Sequence, residues 1–159
     1  MSRLFGFLGV NFIFFFLTSS VVKAQHVPGT NPIGGGYVVS SGFGMRMHPI
    51  SKKEQMHRGI DFKVPVGTPV FATANGIVKR VKYSKTGYGK SIIISHGSSY
   101  ETLYAHLSKI NVKEHEEVKK GQVIGFSGNT GHSSNPHLHY EIRKYGSPIN
   151  PARYLIFAE

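Results

Sequence analysis

The stretch most able to do chemistry is Asn135-Pro136-His137-Leu138-His139-Tyr140-Glu141. In an extended strand, side chains two apart point to the same face. His137 and His139 can therefore present two imidazoles together, and Glu141 continues that face. Upstream, His57 and Asp61 stand four apart across Gly59, and His106 closes Tyr104-Ala105-His106. Imidazoles and a carboxylate carried on separate strand ends are the parts of a metal site. The competing reading of Asp61 is a cap on the turn after Gly59. Glu141 reads as a partner of a ligand imidazole, or as a strand-face charge, rather than as a ligand. Spacing does not say which member of the His-x-His pair binds the metal.

The chain of 159 residues has no cysteine. That excludes disulfides, thiolate ligands, a Cys nucleophile and a lipidated N-terminal Cys. Any metal must be held by His and carboxylate, which suits Zn²⁺ among others. A His-Glu-x-x-His motif is also missing, and with it the glutamate base of that metalloprotease class.

Short strands must position these residues. Glycine (19 residues) and proline (8) punctuate runs rich in β-branched and aromatic side chains, and no long amphipathic stretch or fixed repeat is present. Tyr37–Ser40 reads as a first strand, and a polar loop covers 50–56. His57 and Asp61 lie in a loop entering a strand. Val70–Ala74 and Ile77–Tyr83 read as a hairpin about Asn75-Gly76. Lys90–His96, with Ile92-Ile93-Ile94 buried, Tyr100–Leu107, Val123–Ser127 and His137–Lys144 complete the strands, while Lys109–Lys120 reads as charged and less regular. Asn150-Pro151 marks a terminal turn capped by Asn150. The expected class is mainly β, a compact antiparallel domain of one core.

Residues 1–24 read as a cleaved signal peptide: Arg3 gives a positive start, 4–17 is dominated by Leu, Phe, Val and Ile, and Val22-Lys23-Ala24 offers a cleavage site before Gln25. The alternative is an uncleaved membrane anchor, the chain's only expected membrane contact. Residues 25–36, with Pro28-Gly29, Asn31-Pro32 and Gly34-Gly35-Gly36, read as a linker, 37–155 as the domain, and 156–159 as a tail. The full sequence carries a formal charge of +11. Without Arg3 and Lys23 it keeps 17 basic against 8 acidic residues, or +9. The lysines and arginines are scattered, with no arginine-rich helix, so nucleic acid is not expected; an anionic wall or membrane surface suits the charge equally.

Taken in order, the motifs Ser41-Gly42-Phe43-Gly44 with Arg46 and His48-Pro49, His57-Arg58-Gly59-Ile60-Asp61, Pro65-Val66-Gly67-Thr68-Pro69-Val70, Asn75-Gly76-Ile77-Val78, Gly87-Tyr88-Gly89, Tyr104-Ala105-His106-Leu107, Val118-Lys119-Lys120-Gly121-Gln122 and Pro136-His137-Leu138-His139-Tyr140-Glu141 resemble the lysostaphin/LytM-type zinc metallopeptidases. The resemblance runs from about Tyr37 to Leu155. It implies a barrel-sandwich fold of the duplicated-hybrid-motif kind with a catalytic groove, and an exported endopeptidase that cuts peptide cross-links of bacterial peptidoglycan. It implies one zinc ion per chain held by His57, Asp61 and His139, with His106 and His137 as catalytic histidines beside it. Two imidazoles and one carboxylate leave such an ion an open position and a positive charge, which acidify water and polarise a carbonyl.

Arg46 and His48 are expected to hold the loop over the site, and His132 and Ser133 to line the groove. His96 and His115 read as turn and surface residues. One departure is Ser133-Ser134-Asn135, where the family commonly carries Ser-Thr-Gly. A rival reading is a non-catalytic family member that regulates another wall hydrolase, although all five site positions are intact. A second is a biotinyl- or lipoyl-carrier module, suggested by Val118–Gly125. A monomer is expected.

Overall fold

The computed structural model describes residues 26–35, 38–47, 52–97 and 99–155. The leader, Tyr37, His48-Pro49 and the tail lie outside them. The elements are β1 (Val38–Ser41), β2 (Gly44–Met47), β3 (Glu54–His57), β4 (Ile60–Lys63), β5 (Pro69–Phe71), β6 (Gly76–Lys82), β7 (Lys90–His96), β8 (Tyr100–Leu107), β9 (Lys109–Ile110), β10 (Glu117–Val118), β11 (Val123–Phe126), β12 (Leu138–Lys144), β13 (Ser147–Ile149) and a 3-10 turn at Pro151–Arg153. There is no α-helix among the described residues. The turn is capped as its sequence predicts: Asn150 Oδ1 accepts from Ala152 N–H at 3.0 Å, with Pro151 at the first position.

Most strands form one sheet in the order β1-β4-β12-β8-β7-β6-β10, with β13 beside β12. A three-stranded sheet, β5-β11-β9, and the β2-β3 hairpin complete the fold, and the sheets do not close into a barrel. Every pairing is antiparallel.

The core follows from the pleat. Ile60 and Phe62 of β4, Leu138, Tyr140 and Ile142 of β12, Tyr104 of β8 and Ile92 and Ile94 of β7 pack in one apolar cluster with Val70, Ala72 and Ile124. Residues between them in sequence, such as Asp61 and His139, then belong to the opposite face. A buried polar thread crosses the core. Tyr104 and Tyr140 both bond the Thr73 hydroxyl, at 3.1 and 2.9 Å, so neither phenol is buried without a partner.

Four local expectations change. Asn75-Gly76 is not a hairpin turn: β5 pairs with β11, whereas β6 pairs with β7 and β10. Gly76 is required for close approach, since a Cβ there would stand 2.3 Å from Ser95 O. Asn75 instead joins elements, its Oδ1 accepting from Lys120 N–H at 2.8 Å. The polar 50–56 segment holds all of β3 but its last residue, and the pairing of β3 with β2 (Arg46 opposite Gln55) needs no apolar face. His96 is no surface turn residue. It is 2% exposed, with Nδ1–H donating to Asn75 O at 2.7 Å and Nε2 2.8 Å from Thr102 Oγ1. Within Lys109–Lys120 the short strands β9 and β10 each secure a sheet edge.

Residues 26–35 form no strand, yet they pack on the domain. Phe71 N–H donates to Pro32 O at 2.8 Å, Thr30 Oγ1–H to Thr73 O at 3.1 Å, and Ile33 is buried.

Candidate metal centre

Register brings the chemistry together. Asp61 of β4 and His139 of β12 are directly opposed, and Ala105 of β8 is opposed to His139 on the other side. His57 ends β3, and the His57–Ile60 corner fits only because residue 59 is glycine: a Cβ there would lie 2.3 Å from Tyr140 O. Three ligand atoms converge. His57 Nε2 is 3.2 Å from Asp61 Oδ1 and 3.1 Å from His139 Nδ1, and His139 Nδ1 is 2.8 Å from Asp61 Oδ1. All three residues are buried. Ligand atoms of a tetrahedral zinc site with bonds of about 2.0–2.1 Å stand about 3.3–3.4 Å apart. This nitrogen–nitrogen–oxygen trio thus lies within a few tenths of an ångström of a zinc-binding arrangement, and it could hold a metal ion.

Hydrogen bonds fix each imidazole. His57 Nδ1–H donates to Gly42 O at 2.6 Å, which leaves Nε2 bare. His106 Nδ1–H donates to Thr130 O at 2.7 Å, and His137 Nδ1–H to Asn135 O at 2.8 Å, so both also offer Nε2. His139 is turned the other way: its Nε2 faces Glu141 Oε1 at 3.1 Å and its Nδ1 faces the cluster. The partner of one ring nitrogen sets what the other can do.

His106 reaches the cluster through a break in its strand. Alternation along β8 would put it on the Tyr104 face, inside the core. Its φ of +60° breaks the pleat. The ring then stands 4.7 Å from the His137 ring and 6.0 Å from that of His139. A left-handed non-glycine residue is strained and concentrates at functional sites. Around it, Lys90 N–H donates to Thr130 Oγ1 and Thr130 Oγ1–H to Leu107 O, at 3.0 and 2.8 Å, which fastens the loop that holds its Nδ1.

A family model for peptidase family M23 matches residues 55–151, a span that contains the whole cluster. The chain belongs to peptidase family M23. M23 is a family of metallopeptidases, and the resemblance drawn from the motifs holds. The chain is 51% identical over 113 residues to the DD-carboxypeptidase/endopeptidase Mpg of Neisseria meningitidis, covering 71% of this chain and 26% of that protein. It is 43% identical over 120 residues to the peptidoglycan DD-endopeptidase ShyA of Vibrio cholerae, covering 75% and 28%. The chain thus spans about a quarter of the length of these curated relatives. Among solved structures, a zinc-containing peptidase from Vibrio cholerae superposes with a TM-score of 0.72 at 38% identity, over 78% of this chain and 39% of that one. The catalytic domain of lysostaphin from Staphylococcus simulans gives 0.68 at 35%, over 74% and 91%. The fold is therefore of the expected lysostaphin type.

Electrostatics in this M23 domain follow from burial and pairing. Burial opposes ionisation of Asp61, but the close imidazoles of His139 and His57 outweigh it and hold the carboxyl well below the usual carboxylate range. Burial likewise works against a charged His139, and bonding to Asp61 and Glu141 raises its pKa nonetheless. Glu141 is brought down to about 2: burial would raise it, and the His139 and Tyr88 hydrogen bonds prevail. His106 has the opposite balance, burial pushing it down to about 4 against the bond to Thr130 O.

All five candidate residues are thus in one place. Arg46 does not merely brace a loop: its Nη2 lies 3.3 Å from Asp61 Oδ2. Ser133 Oγ is 3.1 Å from His137 Nδ1. His132 donates its backbone N–H to Gly87 O at 2.8 Å, which ties the two loops flanking His106. His115 is exposed, as expected. Sequence reasoning missed Tyr88, Thr130 and Arg143. Alternation from His139 could have pointed to Arg143, four residues on. Tyr88 lies in the Gly87-Tyr88-Gly89 motif, but nothing in that motif links it to Glu141, and Thr130 comes from another distant loop with no such signal.

Proposed function

We propose that this chain is an exported zinc endopeptidase that hydrolyses peptide cross-links of bacterial peptidoglycan. The observation that carries this reading is the buried convergence of His57, Asp61 and His139 within bonding range of one ion, beside two further imidazoles. In this reading His57 Nε2, Asp61 Oδ1 and His139 Nδ1 hold the zinc. When bound, zinc supplies a Lewis acid that polarises the scissile carbonyl and lowers the pKa of water.

The remaining work falls to the chain. His106 and His137 offer bare Nε2 atoms, held in that form by their Nδ1–H bonds to Thr130 O and Asn135 O. The pair takes the proton of the attacking water and returns it to the leaving amine. Once protonated, an Nε2–H donates to the oxyanion that develops on the carbonyl. Burial that depresses the His106 pKa to about 4 keeps that ring a neutral acceptor near pH 7.

The substrate class follows the relatives named for peptidoglycan endopeptidase activity. Residues 1–24 direct export in this reading, 37–155 form the catalytic domain, and the basic surface suits an anionic wall. The test is digestion of purified peptidoglycan of defined cross-link chemistry, with zinc, with chelator and with His139→Ala, the products identified by mass. New amine ends at cross-links, lost in both controls, are expected. Binding to the wall without any new ends, from a zinc-loaded chain, would refute the peptidase and favour a regulatory binder. Export is checked separately by sequencing the N-terminus of the envelope form, expected at Gln25.

A further inference from the structure

Glu141 is fully buried, with 0% exposure. A buried carboxylate demands partners, and this one has a full set. Oε1 accepts the Tyr88 hydroxyl and faces His139 Nε2 at 3.1 Å. Oε2 accepts Arg143 Nε–H at 2.9 Å and Nη2–H at 2.7 Å. Two donors on each oxygen use its lone pairs, so Glu141 has no capacity left for a metal or for a proton in transit. Its nearest electrostatic role is directed at His139.

The geometry is built into one strand. His139, Glu141 and Arg143 alternate along β12 and share a face. Tyr88 closes the arrangement from the loop before β7, its ring 5.6 Å from that of His139. Arg143 grips a single oxygen with two nitrogens, which fixes the carboxylate against rotation. The other oxygen then holds Nε2 as an N–H, and Nδ1 is the only nitrogen of His139 left for the cluster. The other histidines of the cluster, His57, His106 and His137, do the reverse, tying up Nδ1 on backbone carbonyls.

We propose that Glu141, clamped by Arg143 and Tyr88, is a positioning residue that fixes the tautomer and ring orientation of His139 for metal binding. This rests on the zinc-site reading above. It assigns the three residues a role in metal affinity and none in touching substrate. Partners of this kind typically change metal affinity about 10–100-fold when removed.

The experiment uses the full chain and Zn²⁺ alone. Dissociation constants come from competition with a chromophoric chelator, for wild type, Glu141→Gln, Arg143→Lys and Tyr88→Phe. Long-range proton–nitrogen NMR reports the tautomer of His139, and metal-free melting is followed in parallel. Expected are a loss of about 10–100-fold in Zn²⁺ affinity for Glu141→Gln, smaller losses for the other two, and an Nε2–H tautomer for His139 in the zinc-loaded wild type. Arg143→Lys and Tyr88→Phe carry the test if Glu141→Gln does not fold. A wild type that takes up no Zn²⁺ overturns both readings. A wild type that binds Zn²⁺ while folded variants bind it equally, or a His139 coordinated through Nε2, overturns this assignment and leaves the zinc site standing.

Discussion

Gly59→Ala should damage the metal centre without touching a ligand. Gly59 lies between His57 and Asp61, and a Cβ there would be 2.3 Å from Tyr140 O, 2.9 Å from Tyr140 C and 3.0 Å from Glu141 Cγ. Real contacts begin at 3.0 Å, so the backbones must part by at least 0.7 Å. One side of that contact is the β3–β4 corner that carries His57 and Asp61. The other is β12 between His139 and Glu141. Neither can yield by rotating a side chain, because the closest atoms are backbone. Metal sites tolerate about 0.2 Å in ligand distances, so the displacement exceeds the tolerance about threefold. Forcing a methyl into a packed contact costs about 1–3 kcal/mol. At about 2–4 °C per kcal/mol, melting should fall by about 2–12 °C.

The assay pairs Zn²⁺ affinity, by chelator competition, with melting of the metal-free chain. Gly35→Ala is the control, since a Cβ there meets nothing within 4 Å and its φ is not left-handed. Expected are weakened Zn²⁺ binding and lowered melting for Gly59→Ala, with both unchanged for Gly35→Ala. Wild-type affinity and melting in Gly59→Ala would refute the argument that this close approach sets the ligand geometry.

Three further outcomes are expected. His106→Ala and His137→Ala should each lower turnover by about 10²–10⁴-fold while retaining Zn²⁺, measured by cross-link cleavage and metal content; loss of the metal would place the residue among the ligands instead. Zn²⁺ at about 100 times its dissociation constant should add about 2.7 kcal/mol to unfolding free energy, removed by chelator and restored by readdition; equal denaturation curves with and without Zn²⁺ would count against a site formed only in the folded state. His96 should make stability fall in acid. Burial lowers its folded pKa below the ordinary 6.5, despite the Asn75 bond. The unfolded chain therefore takes the proton first. The contribution is complete above about pH 6.5 and is lost as pH falls toward the folded value, with a slope of at most about 1.4 kcal/mol per pH unit. Melting of wild type and His96→Gln from pH 5 to 8 checks this, and parallel curves would sink it.

The strands that make the core were legible because their signal is local. Lys90–His96 and Tyr100–Leu107 were bounded correctly from apolar runs between turn residues. The Asn75-Gly76 error shows where local signals mislead. The dipeptide has the composition of a tight hairpin, but glycine also serves where two backbones approach closely, and Ser95 O occupies the space a side chain would need. Nothing within a few residues distinguishes the two uses. β3 was missed for a related reason: Glu54-Gln55-Met56 has no buried face, being exposed on both sides of the hairpin, so the alternation that marks a half-buried strand is absent. His96 shows the third limit. A histidine at a strand end next to Gly97 reads as surface, and only the partners from Asn75 and Thr102 make it a core residue.

The two histidines of His137-x-His139 have equal spacing, and sequence offered no physical reason for unequal roles. Their surroundings supply one. Asn135, two residues before His137, presents a backbone carbonyl to Nδ1. Glu141, two residues after His139, presents a carboxylate to Nε2. The first ring is left with Nε2 toward the cluster but at 3.8 Å from Asp61 Oδ1. The second is left with Nδ1 inward, 2.8 Å from the same oxygen and 3.1 Å from His57 Nε2. Only the second completes a trio at zinc-like separations. The proposed division, His139 on the metal and His137 on the proton, thus rests on which side of each imidazole the residue two positions away engages. Asn135→Gly, which leaves the carbonyl in place, should spare the tautomer of His137, whereas Glu141→Gln should disturb that of His139. His137 losing its Nδ1–H form in Asn135→Gly would show that the side chain, and not the backbone carbonyl, sets its ring.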